Sequence, residues 1–102
     1  MAKTSQMILL AHLPNEAPKE LPLSDFLTQG ADILEKCVVR DYYRFNKLLQ
    51  CALFRYEGKY LVGVEESTYL YVICAAYKTI QGAKRFISSN YIITEGAISN
   101  EK

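Results

Sequence analysis

The stretch LLQCALFRYEGKYLVGV, residues 48–64, contains two apolar segments separated by Glu57-Gly58-Lys59. The segments 48–56 and 60–64 are rich in the aliphatic and aromatic residues that favour strands. A three-residue connection with a central glycine is typical of a β-hairpin. The sequence therefore predicts two antiparallel strands joined by a tight turn, and we work outward from this hairpin.

Downstream of the hairpin, the polar residues 65–67 (Glu-Glu-Ser) predict a turn, and the apolar residues 69–77 predict a third strand. Strict alternation would place Tyr71, Ile73 and Ala75 on one face and Val72 and Cys74 on the other. Both faces would then be apolar, which indicates a central strand covered on both sides. A short helix over residues 79–88, capped by Thr79, and a final strand over residues 91–94 are expected to follow.

Upstream of the hairpin, Ser24 is a good N-cap for a helix predicted from Asp25 to Val39, in which Asp32 and Glu35, with Asp41 beyond, line the exposed side. Gly30 would lie inside this helix at a cost of about 1 kcal/mol relative to alanine. Residues 40–46 either extend the helix or form a separate turn. The apolar residues that recur at helical spacing are Phe26, Leu27, Ala31, Leu34 and Val38.

At the two ends of the chain, residues 7–13 predict a strand, residues 14–22 a proline-rich loop and residues 95–102 a flexible tail. The predicted order is β-α-β-β-β-α-β. We expect one α+β domain over residues 1–102, with a small antiparallel or mixed sheet and two helices. The residues expected to be buried are Leu34, Cys51, Leu53, Val62, Val72, Ile73 and Cys74.

The net charge is +1, from 12 basic and 11 acidic residues, so the chain has no strong overall field for nucleic acid or anionic membrane. Within this balance, residues 67–94 hold three basic residues and no acidic one. The sequence contains no apolar run of about 18 residues, the length needed to span a bilayer. Without a targeting or membrane signal, we expect no membrane association and a cytoplasmic location.

The cysteines Cys37, Cys51 and Cys74 are widely spaced, and His12 is the only histidine. Zinc sites need about four ligands at short paired spacings, which this sequence does not supply. A nucleophilic triad usually needs a histidine with partners, and His12 follows an apolar segment beside a proline loop. We therefore expect buried thiols in a reducing compartment and a protein that is not an enzyme, with no catalytic residue, metal or cofactor.

Tyrosines interleaved with arginine and lysine are the remaining chemical feature, with 8 tyrosines in the chain. Such residues have three common uses. They pack a tyrosine ring on a sheet while its hydroxyl stays in solvent, they form protein interfaces, or they bind nucleic acid by stacking on bases and contacting phosphates. The near-neutral charge favours the second use over the third, so we expect a binding module for a protein partner or for itself, as a homodimer. The candidate binding residues are Arg40, Tyr43, Arg44, Arg55, Tyr56, Lys59, Tyr60, Lys84 and Arg85.

The segment YKTIQGAKRF, residues 77–86, follows three predicted strands and resembles the small sheet-plus-helix modules at the N-terminus of phage and transposon integrases. In those modules an aromatic-x-Thr segment opens the helix and an alanine packs it on the sheet. The resemblance covers less than half of the chain, and the basic strand residues that those modules use on DNA are sparse here. It implies the alternative function, a nucleic-acid-binding module of phage or mobile-element type that uses the hairpin and the last helix.

Overall fold

A computed structural model of the chain describes residues 6–13, 15–41 and 47–96. Within these ranges seven strands and two helices follow one another along the chain. They are β1 (Met7–Leu10), β2 (Lys19–Pro22), α1 (Leu23–Thr28), β3 (Asp32–Asp41), β4 (Lys47–Tyr56), β5 (Lys59–Ser67), β6 (Leu70–Tyr77), α2 (Ile80–Asn90) and β7 (Tyr91–Gly96).

The seven strands form one mixed sheet in the order β2-β1-β6-β5-β4-β3-β7. β1 pairs with β6 in parallel, and every other neighbouring pair is antiparallel. The α+β class, the mixed sheet and the two helices are confirmed for the described residues. The sheet is larger than predicted because β2 and β3 come from segments that were assigned to a loop and a helix.

The central hairpin is confirmed, and its turn has two residues. Tyr56 pairs with Lys59, and Glu57 and Gly58 between them have φ values of 51° and 75°. Positive φ at both central residues matches the right-handed twist of the flanking strands. Gly58 adopts this conformation without the steric penalty that other residues meet.

The predicted helix from Asp25 to Val39 is wrong, because α1 spans only the six residues Leu23–Thr28. Gly30 has φ of 106° and donates its backbone N–H to the Leu27 carbonyl, and Ala31 donates to the Phe26 carbonyl. This pair of bonds is a Schellman motif, in which a residue at positive φ terminates the helix. Gly30 is therefore the residue that ends α1 and not an interior glycine.

After this termination the chain forms the strand β3, and Asp32, Glu35 and Asp41 lie on a strand instead of a helix. Alternate residues Cys37, Val39 and Asp41 are buried, which is the period of two expected for a strand. β3 also has a bulge near Leu34, where its register with β4 shifts. A bulge changes which residues share a face.

Other boundaries also differ from the prediction, and the first strand ends at Leu10 instead of Leu13. Lys19–Pro22, assigned to the proline-rich loop, pairs with β1 as an edge strand, where proline is tolerated. Residues 65–67, assigned to a turn, continue β5, and the turn lies at residues 68–69. Residues 95–96, assigned to the tail, belong to β7, while residues 97–102 and Pro14 lie outside the described residues.

The third predicted strand is confirmed as β6, and it lies inside the sheet between β1 and β5. Its faces are not those of a regular strand, because Gly63 pairs with Ile73 whereas Val62 pairs with Ala75. Cys74 is the extra residue of a bulge. As a result Ile73 packs on one face of the sheet and Ala75 on the other, instead of both on one.

Each face of the sheet carries its own apolar core. The α1-side core contains Phe26 of α1 with Ile8, Leu10, Leu13, Ala31, Ala52, Phe54, Tyr56, Leu61, Tyr71 and Ile73. The α2-side core contains Ala83 and Ile87 of α2 with Cys37, Val39, Leu49, Cys51, Leu53, Val62, Val64 and Ala75. Of the residues expected to be buried, Cys51, Leu53, Val62 and Ile73 are, while Leu34, Val72 and Cys74 are half-buried.

The α1-side core is organised around the Phe54 ring. Its centroid lies 5.6 Å from that of Phe26 and 6.0 Å from that of Tyr71, both in edge-to-face geometry. Gly63 on the neighbouring strand leaves room for this ring, because a Cβ atom there would lie 3.0 Å from Phe54 Cε1. Gly63 is therefore needed for close packing rather than for a turn.

Candidate functional site

The hairpin tip does not bring its two tyrosines together. Arg55 pairs with Tyr60, and Tyr56 pairs with Lys59, so these two rows point to opposite faces of the sheet. Tyr56 is only 8% exposed, and its ring centroid lies 4.8 Å from that of Phe26. Burial in this α1-side core raises the pKa of its hydroxyl. Tyr60 packs against the α2-side core, so the two tyrosines of the hairpin lie on opposite faces of the sheet.

Two of the candidate basic residues are held by carboxylates. Arg55 Nη2 lies 2.9 Å from Asp32 Oδ2 at an exposed position, and this hydrogen bond raises the pKa of Arg55. Lys84 Nζ of α2 lies 3.3 Å from Glu35 Oε2 of β3, and the Lys84 side chain is only 13% exposed. These pairs reduce the positive charge that either cation can offer to a phosphate.

Arg85 is placed differently, beside an open depression of about 260 Å³ on the α2 side. The rings of Tyr77 and Phe86 line it, with centroids 6.1 Å apart. The N-terminus of α2 is fixed as predicted, since Thr79 Oγ1 accepts a hydrogen bond from the Gly82 N–H. Gly82, Ser89 and Asn90 complete the lining. Because Lys59 faces the other side of the sheet, the basic candidates Arg55, Lys59, Lys84 and Arg85 do not share one face.

Arg40 is the member of the remaining candidate cluster that lies among the described residues. Tyr43 and Arg44 lie outside the described residues. Arg40 is half-buried on β3, where it stands opposite Leu48 of β4 on one side and Ile92 of β7 on the other. Its side chain therefore lies in a row that crosses three strands at one end of the sheet.

We call this row the β7 surface: Leu48, Arg40 and Ile92, with Val38 beside Arg40. Leu48 is 54% exposed and Ile92 is 43% exposed, and together with Tyr69 they are the exposed large hydrophobic residues of the described chain. Neither helix covers the row, because α1 packs on β1 and β2 at the other end of this face, and α2 packs on the opposite face.

The β7 surface adjoins the outer edge of β7, where the feature that discourages further pairing within residues 91–94 is a bulge at Thr94. In the described sheet, the outer side of β7 pairs with no other strand. Residues 91–94 of β7 (Tyr-Ile-Ile-Thr) contain no proline and no charged side chain. The opposite edge, β2, carries exposed Lys19 and Glu20 and ends at Pro22, which are devices that discourage further strand pairing. The edge of β7 is thus the side on which another strand can be added.

The sequence contains a signal for this surface that the search for tyrosine and basic clusters missed. Leu48-Leu49 and Ile92-Ile93 are adjacent apolar pairs within strands, and adjacent strand residues point to opposite faces. One side chain of each pair must therefore point away from the α2-side core. Leu49 and Ile93 pack in that core, and Leu48 and Ile92 face the uncovered side.

Within residues 6–13, 15–41 and 47–96, no helix is long and apolar enough to cross a membrane. The same residues contain no group of three or more histidine, cysteine, aspartate or glutamate side chains placed to hold a metal ion. Comparison of the chain with protein-family models, with curated proteins and with solved structures finds no match.

Proposed function

We propose that this protein is a non-enzymatic protein-binding module whose partner is a second copy of itself, joined along β7. The observation that carries the proposal is the exposure of Leu48 and Ile92 in one row beside the open edge of β7. Exposed apolar area next to an unpaired edge favours association by strand addition. The reducing, cytoplasmic location expected from three free cysteines is part of the same proposal.

A second copy fits this edge by symmetry. Two β7 strands related by a twofold axis perpendicular to the sheet pair antiparallel, and each residue meets a residue of the same face. With Ile92 opposite Ile92 of the second copy, the two β7 surfaces form one continuous row across the joined sheets. The apolar contacts and the strand hydrogen bonds then stabilise the same interface.

The charges on the β7 surface are also compatible with the pairing of two copies along β7. The Arg40 side chains would lie three strand spacings apart, about 14 Å, which exceeds the Debye length of about 8 Å at physiological salt. Half-buried Tyr91 carries no charge at physiological pH, and burial raises the pKa of its hydroxyl further above the ordinary value of 10.0. In this register residues 91–93 of β7 therefore meet residues 93–91 of the second copy without close like-charge repulsion.

The test is the mass of the full chain in solution by light scattering over a range of concentrations. We expect a dimer for the wild type and a monomer for Ile92→Lys, since two lysines would face each other across the new strand pair. Tyr69→Lys is the matched control, because Tyr69 is as exposed as Leu48 but lies in the turn between β5 and β6. Far-UV circular dichroism checks that both variants keep the sheet.

A wild type that is monomeric at every concentration contradicts self-association, and so does a dimer that Tyr69→Lys disrupts and Ile92→Lys leaves intact. If the monomer instead binds another protein through Ile92, the β7 surface is a binding site, but its partner is not a second copy of this chain.

The nucleic-acid alternative is supported by Arg85 beside the rings of Tyr77 and Phe86, a combination that can hold a phosphate and stack a base. The ion pairs of Arg55 and Lys84 argue against it. It predicts that the chain binds mixed oligonucleotides at low salt, that affinity falls steeply as salt is added, and that Lys84→Ala with Arg85→Ala abolishes binding. No binding by the wild type at low salt would remove this alternative.

A further inference from the structure

Two thiols face each other across the pair of strands β3 and β4. Cys37 and Cys51 are directly opposite partners in the antiparallel register, and both belong to the α2-side core. Residues in this position have Cα atoms about 4.5–5.5 Å apart. A disulfide accepts Cα separations of about 4.4–6.8 Å. The two cysteines can therefore be joined without moving either strand to a new register.

The third cysteine does not compete for this bond. Cys74 lies on β6, and β5 separates β6 from β4, so Cys74 and Cys51 are about two strand spacings apart. Two spacings, about 9–10 Å, exceed the limit of about 7 Å beyond which a disulfide requires backbone movement. The Cys74 thiol is instead directed to the Val62 carbonyl, to which it donates at 3.5 Å.

The opposed thiols are not equivalent. A hydrogen bond from the Cys51 thiol lowers the pKa of Cys37, and the same bond together with burial raises the pKa of Cys51. Cys37 is 4% exposed whereas Cys51 is not exposed at all. Cys37 also borders the end of β7, since it pairs with Gly96. The thiolate is the reactive form of cysteine, so Cys37 is the first to react.

We propose that Cys37 and Cys51 form an oxidisable pair that a hydroperoxide converts to a cross-strand disulfide. The Cys37 thiol is first oxidised by hydrogen peroxide to the sulfenic acid, and one water is released. The Cys51 thiol then attacks the sulfenic sulfur, the S–S bond forms and a second water leaves. Two thiols thus lose two electrons to one peroxide, and two waters are produced. Cys37 is the reacting thiol, and Cys51 resolves the sulfenic acid.

The experiment treats the reduced, folded full chain with hydrogen peroxide, removes the peroxide, alkylates the remaining thiols in denaturant and measures the intact mass. We expect the loss of two hydrogens, one alkylated thiol, and a Cys37–Cys51 link in the peptide map, with Cys74 carrying the alkyl group. Three alkylated thiols, a link that involves Cys74, or a link between chains would overturn the proposal.

Variants and a denatured sample define the mechanism. Cys74→Ala is expected to give the same link as the wild type. Cys51→Ala is expected to form no link and to stop at a Cys37 sulfenic acid that dimedone traps, whereas trapping at Cys74 alone contradicts the assigned order. The wild type in urea is the control for folding. A Cys37–Cys51 link that forms as fast in urea as in the folded chain would show that the fold does not direct it.

Discussion

Replacing Gly63 by alanine tests whether the close approach of Phe54 to β5 determines the packing of the α1-side core. An added Cβ would lie 3.0 Å from Phe54 Cε1 and 3.2 Å from Ile73 Cδ1. Both neighbours are fully buried, and the Phe54 ring is held by Phe26 and Tyr71. The methyl group has no space unless this aromatic cluster moves.

Two effects of opposite sign determine how much Gly63→Ala changes the free energy of unfolding. Removing a glycine from a strand reduces the entropy of the unfolded chain and stabilises a protein by about 0.4–1 kcal/mol where the new residue fits. Inserting a methyl group into a packed core costs about 1–3 kcal/mol. Because two buried side chains obstruct the Cβ position, we expect the second effect to win. The free energy of unfolding should fall by about 1–2 kcal/mol.

Urea unfolding of the full chain measures this change, and a thermal scan should show a midpoint lower by about 4–8 °C for each kcal/mol. Phe54→Leu removes part of the obstructing ring and supplies the control. In that background Gly63→Ala should cost at least about 1 kcal/mol less, which a double-mutant cycle resolves. Gly63→Ala that stabilises the wild type, or that costs the same in both backgrounds, would refute the packing argument.

Two further predictions concern the helix cap and a buried tyrosine. Thr79→Ala should lower the free energy of unfolding by about 1 kcal/mol, because the Gly82 N–H loses its acceptor, and an unchanged urea midpoint would contradict the cap. Burial raises the pKa of Tyr71 to about 12 from its ordinary value of 10.0. The neutral Tyr71 hydroxyl is therefore favoured in the folded state, and its contribution to the free energy of unfolding is complete below pH 10. This contribution is lost as the pH rises toward about 12. Tyr71→Phe should show a smaller loss of unfolding free energy between pH 9 and pH 11 than the wild type, and equal losses would refute this assignment.

The elements that the sequence predicts well are those fixed by neighbouring residues. The turn at Glu57-Gly58 and the cap at Thr79 depend on a few adjacent positions, and both are present in the structure. The segment after Gly30 was misjudged because its apolar spacing fits a helix and because a glycine can lie inside a helix or terminate it. The hydrogen bonds from Gly30 and Ala31 to the Leu27 and Phe26 carbonyls show that this glycine terminates the helix. These bonds cannot be deduced from the apolar spacing.

The candidate site was harder to predict because residue type does not reveal which face a side chain occupies. Tyr56 and Tyr71 are core residues, and Arg55 and Lys84 are bound to carboxylates that come from β3. The sequence signal for the β7 surface, two adjacent apolar residues in a strand, becomes informative only when the helix on each face is known. A bulge such as that at Cys74 changes the face again, and alternation alone does not predict it.

The position of β1 has a consequence for how the chain reaches its fold. Met7 pairs with Leu70, 70 − 7 = 63 residues away, so β1 finds its parallel neighbour only after β6 has been synthesised. Closing so long a loop is slow compared with forming the meander β3 to β6, whose strands follow one another directly. We expect the meander to form early, with Ile8 and Leu10 docking last. In a pulsed hydrogen-exchange experiment during refolding, amides of β4 and β5 should become protected before those of β1.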